Sequence, residues 1–297
     1  PQSRRRREGN AFAVERIAPR IYNFSVKRLL FLTLAAGACS WPGRGTLPSP
    51  DAVFAMGQRA LDADEPARIQ AAASLKPLVS AGDPALRLAA VEALGKTGGP
   101  GVASLLLRSL KEEDPAVRGE AALALFRLRY LKRVPEYSTA VVHGLQGAMK
   151  DADPGVRWKA AYSFSRWAEP RAEAALAAAV QDSEPFVRLF ALRSLGQLKD
   201  RAPREPLLRS LQDPDARVRR EAAWALGEGG RTADLAIAVQ DSSPHARAAA
   251  AAGGAAVSPG DPSPIVRALA GDPRLRRKDP HWFVRAGAFR ALGELPG

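Results

Sequence analysis

Residues 182–196 read DSEPFVRLFALRSLG, and residues 213–227 read DPDARVRREAAWALG. The same skeleton returns as DPALRLAAVEALG from Asp83, DPAVRGEAALALF from Asp114 and DPGVRWKAAYSF from Asp153. It appears again as SSPHARAAAAAGG from Ser242 and as DPHWFVRAGAFRALG from Asp279. Recurrence at this interval decides the architecture before any site is considered. A short unit that cannot bury its apolar face alone must stack on copies of itself.

Taking the arginine of each P-x-V-R motif as column zero aligns Arg87, Arg118, Arg157, Arg188, Arg219, Arg247 and Arg285, with Arg68 a looser member. The gaps are 31, 39, 31, 31, 28 and 38 residues, so one unit holds two short helices. Column three is always alanine (Ala90, Ala121, Ala160, Ala191, Ala222, Ala250, Ala288), and column seven is mostly leucine, with Phe164 in the third unit. Small and large residues at this spacing define a helical packing face. Pro84, Pro115, Pro154, Pro185 and Pro244 occupy the first helical position, where a missing N–H costs nothing. The Asp or Ser before most of them is suited to cap the free amides, and Glu184 less so. Gly95, Gly196, Gly227 and Gly293 follow the last leucine, as left-handed caps would. These features mark the second helix of each unit. First helices are expected near 102–110, 137–149, 171–180, 205–211, 234–239 and 265–270, with an opening helix or two over 52–61 and 67–79. Nothing alternates with period two, so the fold class is all-α.

The motif L-x-D-x-(D/E)-P-x-V-R-x-x-A-x-x-x-L-G resembles the short HEAT-like repeat, the type also found in phycobilisome lyases. The resemblance covers residues 51–297. It implies a right-handed α-solenoid whose second helices line the concave face. The chain departs from the pattern in its 39-residue unit, where residues 126–137 are extra. It departs again in the worn copy at 246–257 and in a basic insert at 271–278.

The amino-terminal stretch is a different object. Val26-Lys27-Arg28 followed by LLFLTLAAGAC has a basic region, about ten apolar residues and small residues before Cys39. That run is roughly half of a bilayer span. Residues 36–39, Ala-Gly-Ala-Cys, resemble the lipobox of bacterial lipoprotein signal peptides, although Ala36 replaces the usual leucine. The resemblance implies lipidation of Cys39, a membrane anchor and a location in the bacterial cell envelope, facing the periplasm or the exterior. Residues 1–38 are therefore read as leader, with 1–25 ahead of a start at Val26 and 26–38 as signal peptide. Residues 39–50 read as a Gly/Pro/Ser-rich tether and 51–297 as the solenoid. The alternative is a disordered basic tail on a cytoplasmic protein. Charge depends on this choice. The chain carries +13, and without residues 1–28 it carries +7, less than a nucleic-acid reader's concentrated stripe would need. A single cysteine excludes intramolecular disulfides and thiolate metal cages.

Two constellations are candidates for function. The repeated arginines (Arg87, Arg118, Arg157, Arg188, Arg219, Arg285), with the acid six columns earlier (Asp151, Asp182, Asp213 and their counterparts), could form an anion-binding ladder, but are read as a packing device that holds each turn. A ligand site is rarely copied into every unit, whereas a packing requirement must be. Columns that vary carry more information. Columns one and five, with column two beside them, place Trp158, Lys159, Tyr162, Leu189, Phe190, Arg193, Arg220 and Trp224 on successive units. Aromatics and arginine favour protein interfaces, although the same rings would also fill gaps between helices. His143, His245 and His281 are scattered, and none is followed by glutamate. The His-Glu pairs of deoxyhypusine hydroxylase, an iron enzyme on this kind of scaffold, are missing. H-E-x-x-H, Gly-rich phosphate loops and G-x-S-x-G are also absent. The sequence therefore points to a non-enzymatic, cofactor-free scaffold that binds another protein, with neither nucleic acid nor a small molecule as its ligand. The alternatives are a basic nucleic-acid binder and a lyase or accessory factor of the phycobilisome type.

Overall fold

The computed structural model describes residues 47–254 together with His281 and Val284. The leader, Cys39, most of the tether, the 265–270 helix, Arg285 and Gly293 lie outside the described residues. Among the described residues there is no strand. Twelve α-helices follow in order among them: α1 Pro50–Asp62, α2 Glu65–Leu75, α3 Pro84–Thr97, α4 Val102–Ser109, α5 Pro115–Tyr130 and α6 Thr139–Ala148. Then come α7 Pro154–Tyr162, α8 Glu173–Ala179, α9 Pro185–Gly196, α10 Arg204–Ser210, α11 Ala216–Glu228 and α12 Pro244–Gly254.

Helix starts follow the local chemistry. The side chains of Asp83, Asp114, Asp153 and Asp215 accept amide N–H groups at the starts of α3, α5, α7 and α11. Glu184, one methylene longer, makes no such bond at α9. The column-three alanines from Ala90 to Ala250 are fully buried, as are the column-seven residues Leu94, Leu125, Phe164, Leu195 and Leu226. Burying each large side chain stabilises the fold by about 1.5–3 kcal/mol.

The second helices stack in one row, α1 on α3, then α5, α7, α9, α11 and α12. The other row holds α2, α4, α6, α8 and α10, each packed on the second helix of its unit. Two expectations change here. Helix α1 packs on α3, so it occupies the place of a second helix, whereas Arg68 sits on α2, a first-type helix. The expected first helix at 234–239 is instead a pair of 3-10 turns, Thr232–Ala236 and Ala238–Gln240.

The glycines after the leucine are not left-handed caps. Gly95 and Gly227 lie inside α3 and α11, and Gly196 is the last residue of α9. The left-handed backbone comes three residues later, at Gly98 (φ 71°), Lys199 (φ 56°) and Gly230 (φ 69°). What requires glycine in column eight is the next helix. A Cβ on Gly95 would stand 2.7 Å from Ala124 Cα, and one on Gly227 would stand 2.6 Å from Gly253 Cα. A Cβ on Gly196 would run into the Trp224 ring. Columns eight and six of adjacent units are thus the points where backbones touch.

The 39-residue unit breaks this rule, and so does the one after it, with Ser165 in column eight. Phe126 stands where glycine would, and α5 runs on to Tyr130. In column six, Ser163 donates its hydroxyl to the Ala122 carbonyl at 3.0 Å, and in the next unit Ser194 donates to Ala161 at 2.9 Å. Tyr137, buried, donates to the Ser163 carbonyl at 2.9 Å.

The close approach gives Gly95→Ala an expected sign opposite to helix propensity. Propensity favours alanine by about 1 kcal/mol. Overpacking against the α5 backbone should outweigh this and leave a net loss of about 1–3 kcal/mol in urea unfolding. A rise in the unfolding midpoint would contradict the proposed contact.

Candidate functional site

Among the described residues, Arg118, Arg157, Arg188 and Arg219 each reach in two directions. Nη1 of Arg188 donates to the Asp182 and Ser183 carbonyls at 2.9 and 3.1 Å, closing its own turn. Its Nε and Nη2 donate to both oxygens of Asp213, in the next unit, at 2.7 and 2.8 Å. Arg118–Asp151, Arg157–Asp182 and Arg219–Asp241 repeat this bidentate pair. Each of these aspartates also accepts the amide N–H two residues on, at 2.7–2.9 Å. The hydrogen bond from Arg118 holds the Asp151 carboxyl below the usual carboxylate range. Burial opposes this at Asp182, but the bonds from Arg157 and the Glu184 amide outweigh it. Arg87 is the exception. Its carbonyl contacts are intact, but its acid is Glu112, at 4.0 Å, and its buried Nε has no partner.

This ladder consumes the donors and acceptors that an anion site would need. A depression of about 560 Å³ between units, lined by Gln181, Arg188, Pro206, Arg209 and Asp213 among others, is walled by one of its rungs. Among the described residues, no group of His, Cys, Asp and Glu converges as a metal site.

The second-helix row presents a different face through columns one, two, five and nine. Trp158 stacks on Phe190 across α7 and α9, with centroids 5.5 Å apart. Tyr162 meets Phe190 edge-on at 5.0 Å and Phe126 at 4.8 Å. Phe126 continues to Tyr130 and Trp167, each at 5.5 Å. Arg193, on α9, lies 5.8 Å from the Trp224 ring of α11 and donates from Nε and Nη2 to Glu221 at 2.9 and 3.0 Å. Arg220 donates to the same carboxylate, which is 1% exposed. Lys159 lies over Gly119, with its ammonium 5.8 Å from the Trp158 ring. Arg127 pairs with Glu120, whose carboxyl burial pushes up.

Seven of the eight residues read from the varying columns are thus half-buried and continuous across α7, α9 and α11. Leu189 is the correction. It is only 7% exposed and packs in the core, because column one there faces the helix interface. Sequence reading missed Tyr130, Arg127 and Arg166. Column nine carries Arg127 and Arg166, a turn beyond column five, and would have found both. Tyr130 is 44% exposed, with the Arg166 guanidinium 5.3 Å from its ring. The face offers ring edges and guanidinium donors, which is recognition chemistry.

Comparison with known proteins agrees with the fold. The HEAT-repeat family model matches residues 51–126, 73–146, 141–227 and 174–252, and the chain belongs to that family. Among solved structures it is similar to the Escherichia coli protein YibA (17% identity, 85% of this chain and 99% of that one, TM-score 0.56). It is also similar to an engineered protein (20% identity, 82% and 74%, TM-score 0.53). Kap95p, solved with RanGDP, matches at 16% identity over 80% of this chain and 37% of its own, with a TM-score of 0.51. No curated protein sequence matches the chain.

The ladder predicts two opposite stability changes. Asp213→Asn leaves Arg188, 11% exposed, beside a neutral amide and should cost about 2–4 kcal/mol. Glu112→Asp restores both the fork to Arg87 and the amide bond of its turn, and should add about 1 kcal/mol. Thermal unfolding of both variants checks the pair; equal midpoints would mean that the rungs do not couple the units.

Proposed function

We propose that the chain is a protein-binding scaffold whose contact surface is the aromatic and cationic strip on α7, α9 and α11. The carrying observation is the half-exposed Trp158–Phe190–Tyr162 cluster, flanked by Arg193, Arg220 and Trp224. Aromatic and arginine side chains held in place by their neighbours lose little entropy on binding, which is why interface hot spots favour them. The resemblance to HEAT-like repeats implies a concave face lined by second helices, which is where this strip would lie. Kap95p, on the same fold, binds another protein, RanGDP, which supports a similar use here. The activity proposed is binding rather than catalysis.

We propose further that the scaffold is a lipoprotein of the bacterial cell envelope, tethered through Cys39. The support is the basic and apolar run before the chain's single cysteine. Lipidation at one cysteine would leave the repeat surface free to scaffold a partner at the membrane.

Trp158→Ala combined with Trp224→Ala should leave helical circular dichroism intact and abolish capture of the envelope partner that cross-links to wild type. Collapse of the helical signal would show instead that the rings are core. Cys39→Ser should release the protein from the membrane fraction and remove the lipid mass increment. A wild type that is itself soluble and unlipidated would end the envelope reading.

A further inference from the structure

We infer that the strip takes an acidic peptide segment of the partner protein, one that carries apolar side chains between its carboxylates. This rests on the binding role proposed above and specifies its chemistry. The charges on the face are layered. Glu221 and Glu120 are buried and already accept from arginines, so they act as supports beneath the surface. What stands over them is cationic: Arg193 and Arg220 share Glu221, Arg127 covers Glu120, and Lys159 lies across Gly119. The shared carboxylate uses Nε and Nη2 of both Arg193 and Arg220, leaving each Nη1 for an incoming acceptor. A guanidinium fixed by a buried carboxylate is preorganised, and a second carboxylate is its natural partner.

The rings argue for a peptide over a nucleic acid. Base stacking needs an open aromatic face. Here Trp158 and Phe190 cover each other, and Tyr162 meets Phe190 edge-on. Such a cluster offers edges and a groove for aliphatic or aromatic side chains. The cations are also half-buried among these rings rather than arrayed along a solvated stripe.

The test uses the full chain and fluorescence anisotropy. The probe is a short labelled peptide of Glu with Leu and Phe, compared with the same peptide bearing Lys for Glu and with labelled oligo-dT. The acidic peptide should bind about ten-fold more tightly than the basic one, and more weakly as salt rises. Lys159→Gln with Arg220→Gln should weaken it by about ten-fold while helical circular dichroism is unchanged, since Arg193 still pairs Glu221. Equal or tighter binding of the basic peptide or of oligo-dT would overturn the proposal, as would wild-type affinity in the double variant. If the acidic peptide fails but the Trp158→Ala/Trp224→Ala variant still loses its envelope partner, the binding role stands and the acidic chemistry falls. If that variant also keeps its partner, both fall.

Discussion

One arginine per unit holds two repeats in register at once. Its Nη1 ties down the carbonyls of its own turn, while Nε and Nη2 grip a carboxylate in the following unit. That carboxylate in turn accepts an amide in its own turn, so the constraint passes to the next copy. An isolated ion pair this far from bulk water would scarcely offset its desolvation. Here nearly every donor and acceptor finds a geometric partner, and the pair becomes a net fastening. The solenoid is held mainly by contacts between neighbouring units, with Arg133 also reaching the Ala60 and Leu61 carbonyls of α1, so a fastening at each loop edge orients the helix rows that follow. At the first rung the acid is Glu112, and the resulting mismatch strands a buried guanidinium nitrogen.

Much of this is legible in residues alone. The period, the Asp-Pro starts, the buried alanine and leucine columns and the all-helical class follow from spacing and cap chemistry. Column zero can be recognised as structural because it repeats. The partner of each column is harder to read, since a column in isolation does not say which neighbour it meets. Gly95 shows the difficulty. A glycine after the last leucine has the position of a cap, yet its reason is the Ala124 backbone. Arg68 fits the motif loosely yet sits on a first-type helix, because packing order puts α1 rather than α2 in the second-helix row. Of the candidate face, the aromatic and arginine identities are visible in sequence. That Leu189 turns into the core depends on the helix phase in three dimensions, whereas Arg127 and Arg166 lie one helical turn beyond column five and are open to a sequence reading.

The position of the candidate face follows from the same small-residue rule. Where column eight is Gly95 or Gly227, adjacent second helices touch at the backbone, and little side-chain space remains between them. In the 39-residue unit Phe126 takes that column, and Ser163 donates its hydroxyl to the Ala122 carbonyl. The space that glycine would have closed is filled by Phe126, Tyr130, Tyr162 and Trp167. Trp158 and Phe190 extend the cluster to α9. Ser165 takes the same column in the following unit, so the packing rule is relaxed at two successive interfaces, α5 with α7 and α7 with α9, and both accept large rings. The aromatic end of the candidate face thus coincides with the units in which a packing column is given up, whereas Trp224 joins the face at Gly196, where the column is kept.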